Sequence, residues 1–170
     1  MISERITTLL NEQLNKEFYS GYLYLSMASY FLKFGLHGFA SWCTIQAKEE
    51  VDHGMIIFTY LNNCDASYKF QNIPAPDIEY KSPLEAMEHA FSHEKSVTNS
   101  INCLKASADE FNDRMTSLFL DWYIQEQFEE EHQLRSILNQ LKFCIDNKII
   151  LMLLDNKLNE RVYEKTEYKF

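Results

Sequence analysis

The chain has 170 residues, enough for one domain with a sizeable core, and 46% hydrophobic against 24% charged residues is an ordinary globular balance. A formal net charge of -9 excludes the basic footprint of a nucleic-acid binder and any attraction to an anionic membrane surface. With only 4 Gly and 3 Pro the chain lacks the turn residues of an all-β fold, so long uninterrupted helices are expected.

The first residues, Met1 to Leu10, carry Glu4 and Arg5 and lack the apolar run of a signal peptide. No segment reaches the roughly 20 apolar residues needed to span a bilayer. Cys43, Cys64, Cys103 and Cys144 are scattered without a Cys-x-x-Cys pair. That spacing argues against a zinc ribbon or an iron–sulfur site and fits reduced thiols in a cytoplasmic protein.

Four long periodic segments follow in chain order. The first runs from Ser3 to Phe34 and ends at Gly35; the second starts near Leu36 to Gly38 and reaches about Asn62. A break from Asn63 to Lys81 contains Pro74 and Pro76. The third segment opens on Ser82-Pro83-Leu84-Glu85, a capping-box pattern with proline in the first turn, and runs to about Ala108. The fourth extends from about Asn112 to Leu141. Short links within each pair predict two antiparallel hairpins. The break of about 19 residues can cover roughly 60 Å, more than the roughly 42 Å length of a 28-residue helix. It can therefore cross the whole bundle. Beyond it, Ile149 to Leu154 is a run of six apolar residues flanked by Asp146, Lys148 and Asp155, too short for a membrane. It reads as a fifth short helix buried in assembly with other subunits.

Helical phase then exposes an anomaly. On the first helix Ile6, Leu10, Leu14, Gly21, Tyr24, Ala28 and Phe31 surround Glu17 within about 60°. On the second, Cys43, Ala47, Gly54, Ile57 and Leu61 surround Glu50, with His53 one side chain away; on the third, Met87, Ala90, Phe91, Val97 and Ile101 surround Glu94. Buried carboxylates must be neutralised, paired or metal-bound. No Lys or Arg shares these stripes closely enough to pair, so two divalent cations supply the missing charge. Glu50-x-x-His53 offers a carboxylate and an imidazole to one ion from one helix face.

Glu129-Glu130-Glu131-His132 is a second such match, but its phase differs. The fourth helix's apolar stripe contains Met115, Phe119, Trp122, Leu134, Ile137 and Leu141, with Glu130 near its centre and Glu126 and Gln127 inside its width. His132 points about 200° away from Glu130 and is read as a surface residue. Glu130 and Gln127 are therefore assigned to the site. His89 and His93, four apart but off the core stripe, read as a solvent-facing pair, and His37 falls in a first turn or loop. Tyr24, two turns beyond Glu17, is either a core tyrosine with a satisfied hydroxyl or a phenol acting beside the metals.

These residues resemble the bacterial non-haem ferritins. The likeness spans Ile2 to Phe143 and rests on Asn11-Glu12-Gln13, Glu17-Phe18-Tyr19-Ser20, Ala47-Lys48-Glu49-Glu50-x-x-His53, Glu94, Trp122-Tyr123 and Glu126-Gln127-Phe128-Glu129-Glu130-Glu131. It implies an all-α, ferritin-like four-helix bundle over residues 1–145, with one long crossover loop, and a short fifth helix and tail over 146–170. It further implies a homo-oligomeric shell of 24 subunits. Each subunit would carry a di-iron ferroxidase centre that oxidises Fe(II) with O2 or H2O2 and deposits ferric mineral inside. By position, Glu17, Glu50 and His53 resemble ligands of the first iron, with Glu50 bridging to a second held by Glu94 and Glu130 and with Gln127 close by. A third iron would match Glu49, Glu126, Glu129 and Glu130, and Tyr24 matches the family's tyrosine beside the centre. Val51 stands where bacterioferritins place the methionine that binds haem, so no haem is expected. The rival readings are a rubrerythrin-like peroxidase, which would bring a Cys-x-x-Cys iron domain, a manganese–iron oxidase, and a non-storing metal-binding bundle.

Overall fold

A computed structural model describes residues 2–76, 79–144 and 146–169. Its elements are α1 (Glu4–Lys33), α2 (His37–Asn63), α3 (Pro83–Glu110), α4 (Arg114–Cys144) and α5 (Lys148–Leu158). Asp77 and Ile78 of the expected crossover, and Ile145 at the expected boundary between bundle and fifth helix, lie outside the described residues. No strand occurs among the described residues, and none of the described helices is long and apolar enough to cross a membrane.

Local chemistry sets the helix ends. Ser3 accepts the Ile6 N–H at the start of α1, and Ser82 accepts that of Glu85 at the start of α3, while Glu85 reaches back to the Lys81 N–H. Three helices stop by one device, a left-handed residue that lets two N–H groups turn back onto the last carbonyls. Gly35 (φ 71°) does this for α1, with Leu36 N–H bonding Phe31 O; Asp65 (φ 52°) serves α2 and Asn112 (φ 54°) serves α3. Asn112 therefore closes α3 rather than opening α4, which begins two residues later than the sequence predicts. Asp113, whose carboxylate accepts the Thr116 N–H, starts it.

The helices pair as expected. α1 packs most extensively on α2 and α3 on α4, α1 meets α3, and α5 lies against α2 and α4. The crossover is fastened to α1 by side-chain amides: Asn11 accepts the Lys69 N–H at 2.6 Å and donates to Ser67 O, and Asn15 accepts the Gln71 N–H at 3.1 Å. α2 has no capping side chain of its own. Asp155 of α5 fills that role by accepting the Phe39 N–H at 2.9 Å. Leu154 and Leu158 bury beside it. Ile149, Ile150, Met152 and Leu153 of the same helix stay exposed.

The apolar core divides into two clusters. One gathers Tyr24, Met27, Phe31, Phe39, Met87, Leu134 and Leu138; the other gathers Leu10, Leu14, Ile57, Ile101, Phe119 and Tyr123. On every bundle helix the acids of the predicted site fall between the two, so a polar layer crosses an otherwise oily interior. The stripe of α4 is rotated slightly from the sequence reading. Met115 is 67% exposed and Trp122 is half-buried, whereas Thr116, Leu120 and Leu138 face the core. The rotation keeps Glu130 and Gln127 inward.

Candidate metal centre

Glu17, Glu50, His53, Glu94, Gln127 and Glu130 are all buried and converge from four helices on one layer. Oxygen and nitrogen atoms of Glu17, Glu50 and His53 lie within 4.8 Å of one another, and so do those of Glu50, Glu94 and Glu130. Glu50 belongs to both groups, the place of a bridging carboxylate between two ions. A third grouping joins His53, Glu126 and Glu130.

Each acid has at least one oxygen positioned by a neighbour. Gln13 donates to Glu17 at 2.9 Å. Gln46 donates to Glu50 at 3.2 Å and to Glu130 at 2.6 Å. Tyr24 donates to one Glu94 oxygen at 2.6 Å and Gln127 to the other at 3.2 Å. In contrast, Glu17 Oε2, Glu130 Oε2 and His53 Nε2 are buried without a hydrogen-bond partner. Unpaired buried acceptors are costly. Their presence together in one layer fits ions that would take them as ligands.

The electrostatics agree. Burial raises the carboxyl of Glu94 to about 7, and burial also raises Glu17, Glu50 and Glu130, the last two reinforced by neighbouring carboxylates. Burial alone would lower His53, but Glu130, Glu17, Glu126 and Glu94 together outweigh it and raise it. Four carboxylates against two divalent cations would give a neutral cluster, which offsets the burial cost and the mutual repulsion behind the upward carboxyl shifts.

A pH signature follows. Between the ordinary carboxyl value of 4.5 and the folded value of about 7 for Glu94, the metal-free native state holds more protons than the unfolded chain. Its stability therefore falls as pH rises through that window. A bound cation displaces those protons, so its stabilising effect must grow over the same window. The rise in melting temperature on adding Zn(II) is expected to be larger at pH 7.5 than at pH 5.5, read by calorimetry as a difference so that metal-independent histidines cancel. An equal rise at both values would contradict the assignment.

The remaining sequence candidates divide. His132 is exposed, as phase counting requires. His89 and His93 are not solvent-facing: both are half-buried, His89 against the Tyr80 hydroxyl at 3.0 Å and His93 against Ser20 Oγ at 2.8 Å. Burial lowers His93 to about 4, so it stays a neutral packing residue. Their helix lies closer to its neighbours than the apolar stripe alone suggests. Of the four acids matched to a third iron, Glu126 and Glu130 meet at His53, Glu129 is exposed and bonded to Gln133, and Glu49 is paired with Arg161. Sequence reasoning gave Gln13 no role at the site and missed Gln46. Each stands four residues before a ligand acid, Glu17 and Glu50, on the same helix face, and that spacing was the available signal. It also missed Arg161, which no local pattern marks.

A bundle whose helices each contribute inward carboxylates, one of them paired with an imidazole at i, i+3, defines the ferritin-like di-iron carboxylate class. The sequence profile of the ferritin-like domain matches residues 7–144. A bacterial non-heme ferritin-like protein of Haemophilus influenzae is 40% identical over 158 residues, covering 93% of this chain and 96% of its own. The bacterial non-heme ferritin of Campylobacter jejuni is 38% identical over 155 residues, 91% of this chain and 93% of its own. An engineered closed form of the Archaeoglobus fulgidus ferritin superposes with a TM-score of 0.95 at 40% identity, over 96% of this chain and 100% of that one. The chain belongs to the ferritin family, as a bacterial-type non-heme ferritin: an iron-storage protein that oxidises iron and assembles as a homo-oligomer.

Proposed function

We propose that Glu17, Glu50 and His53 bind one ferrous ion and Glu50, Glu94 and Glu130 a second, and that this pair is oxidised before passing to a mineral core inside a 24-subunit shell in the cytoplasm. The observation that carries this reading is the sharing of Glu50 by two buried ligand groups that also contain three unpartnered atoms, Glu17 Oε2, His53 Nε2 and Glu130 Oε2. Oxygen-rich ligands with one imidazole suit iron in both oxidation states better than thiolates would. Each ferrous ion gives up one electron. Together they reduce dioxygen to hydrogen peroxide with two protons taken up, or hydrogen peroxide to water with two more.

The protein's part is placement. Tyr24 and Gln127 hold the two oxygens of Glu94, while Gln13 and Gln46 hold one oxygen each of Glu17, Glu50 and Glu130 and leave the other to offer. Tyr24, held on a ligand and walled by Trp42 at 6.1 Å, is a positioning phenol of this centre.

Adding ferrous iron to the purified apoprotein in air tests the proposal. Rapid oxidation, with hundreds of irons retained in a particle of shell size, is the expected result. A particle that binds two metals per subunit and stores none would overturn the storage reading and favour a peroxidase or a non-storing bundle.

A further inference from the structure

The chain after α5 does not trail away. It returns along α2 and is fastened there: the Tyr163 hydroxyl donates to Asp52 at 2.7 Å, the Thr166 N–H donates to the same oxygen at 3.0 Å, and Lys48 lies over the Tyr163 ring at 5.2 Å. At its start, Arg161 rests 4.9 Å above Trp42. One nitrogen of its guanidinium donates to Gln46 Oε1 at 3.0 Å and the other to the Glu49 carboxylate. Both charged partners are largely shielded from water, Arg161 at 19% and Glu49 at 15% exposure.

We propose that Arg161 is an internal cation that competes with a third iron for Glu49, so that the centre fills as a two-iron site until the tail is displaced. The inference rests on the two-iron reading above. A guanidinium is charged at all physiological pH values, and here its planar fork is satisfied by two acceptors while its face is covered by an indole. An incoming cation at Glu49 meets that charge in addition to the charges of two irons, and it must break the Arg161–Glu49 hydrogen bond to win the carboxylate. Without Arg161, Glu49 is left as a largely shielded carboxylate with no cation paired to it.

The test is an anaerobic Co(II) titration of the assembled apoprotein, followed by calorimetry and by cobalt absorption, counting ions per subunit. The wild-type chain is expected to take two ions tightly and a third weakly. Arg161→Ala is expected to bind the third at least about tenfold more tightly. Arg161→Lys, which keeps the charge but loses the fork, should fall between them, and adding Glu49→Gln to Arg161→Ala should abolish the gain. Because the expected effect is tighter binding, a damaged fold cannot imitate it. Identical third-ion affinity in wild type and Arg161→Ala overturns the competition while leaving the two-iron centre standing. Failure of the wild type to bind even two ions overturns both.

Discussion

Glu94→Ala and Glu130→Ala each abolish the rapid phase of ferrous oxidation, whereas His132→Ala leaves it unchanged: this is the largest catalytic contrast the structure predicts. Glu94 and Glu130 share a candidate ligand group with Glu50, so on the proposed two-iron reading removing either opens the coordination of the second ion. Loss of an outer partner of a metal ligand typically costs about 10–100-fold in metal affinity or activity, and loss of the ligand itself should exceed about 100-fold. His132 stands two residues from Glu130 in sequence but is exposed on the other side of α4. Stopped-flow oxidation at two irons per subunit makes the measurement. Glu94→Gln controls for folding, because an amide oxygen still accepts the Tyr24 hydroxyl while losing the carboxylate charge. The metal-free form of that variant is expected to be at least as stable as wild type at pH 7, since a buried acid held up to about 7 is relieved. Comparable slowing in all three alanine variants would refute the helical phase on which the site rests.

Gly38→Ala is expected to release α5 and prevent shell assembly while the four-helix bundle persists. A β-carbon at Gly38 would lie 1.6 Å from the Asp155 carbonyl oxygen and 2.4 Å from its carbon. Those are backbone atoms of another helix, so only displacement of α5 relieves the clash. The displacement exposes Leu154 and Leu158, about 1.5–3 kcal/mol each, and removes the cap at the start of α2, about 1 kcal/mol. With α5 loose, the apolar residues it presents outward no longer form a fixed surface. Native mass spectrometry should show small species where wild type gives the assembled particle, with helical circular dichroism little changed. Gly35→Ala provides the contrast: its φ of 71° is strained for alanine, but nothing lies within 4 Å of the added carbon. It should cost only about 1 kcal/mol and leave particle size unaltered. Normal assembly of Gly38→Ala would show that α5 tolerates repacking.

Much of the centre was legible because helical phase is a local property. Glu17, Glu50 and Glu94 stood on apolar stripes, and counting about 100° per residue separated Glu130 from His132 despite the misleading Glu-x-x-His match. The same counting misjudged His89 and His93, since burial off the main stripe depends on what neighbouring helices bring; here those partners are Tyr80 and Ser20. It also placed Met115 inward, where a rotation of α4 turns it out.

The sequence by itself determined the helices, the capping box of α3, the long crossover and the presence of buried acids without cations, because periodicity, capping and charge act over a few residues. Tertiary structure decided which atoms share an ion, how Gln46 spans α2 and α4, that Asp155 caps a helix 116 residues earlier, and that Arg161 reaches Glu49 across 112 positions. Those contacts join segments distant in the chain, and their directions are fixed only when four helices and a returning tail settle around one polar layer.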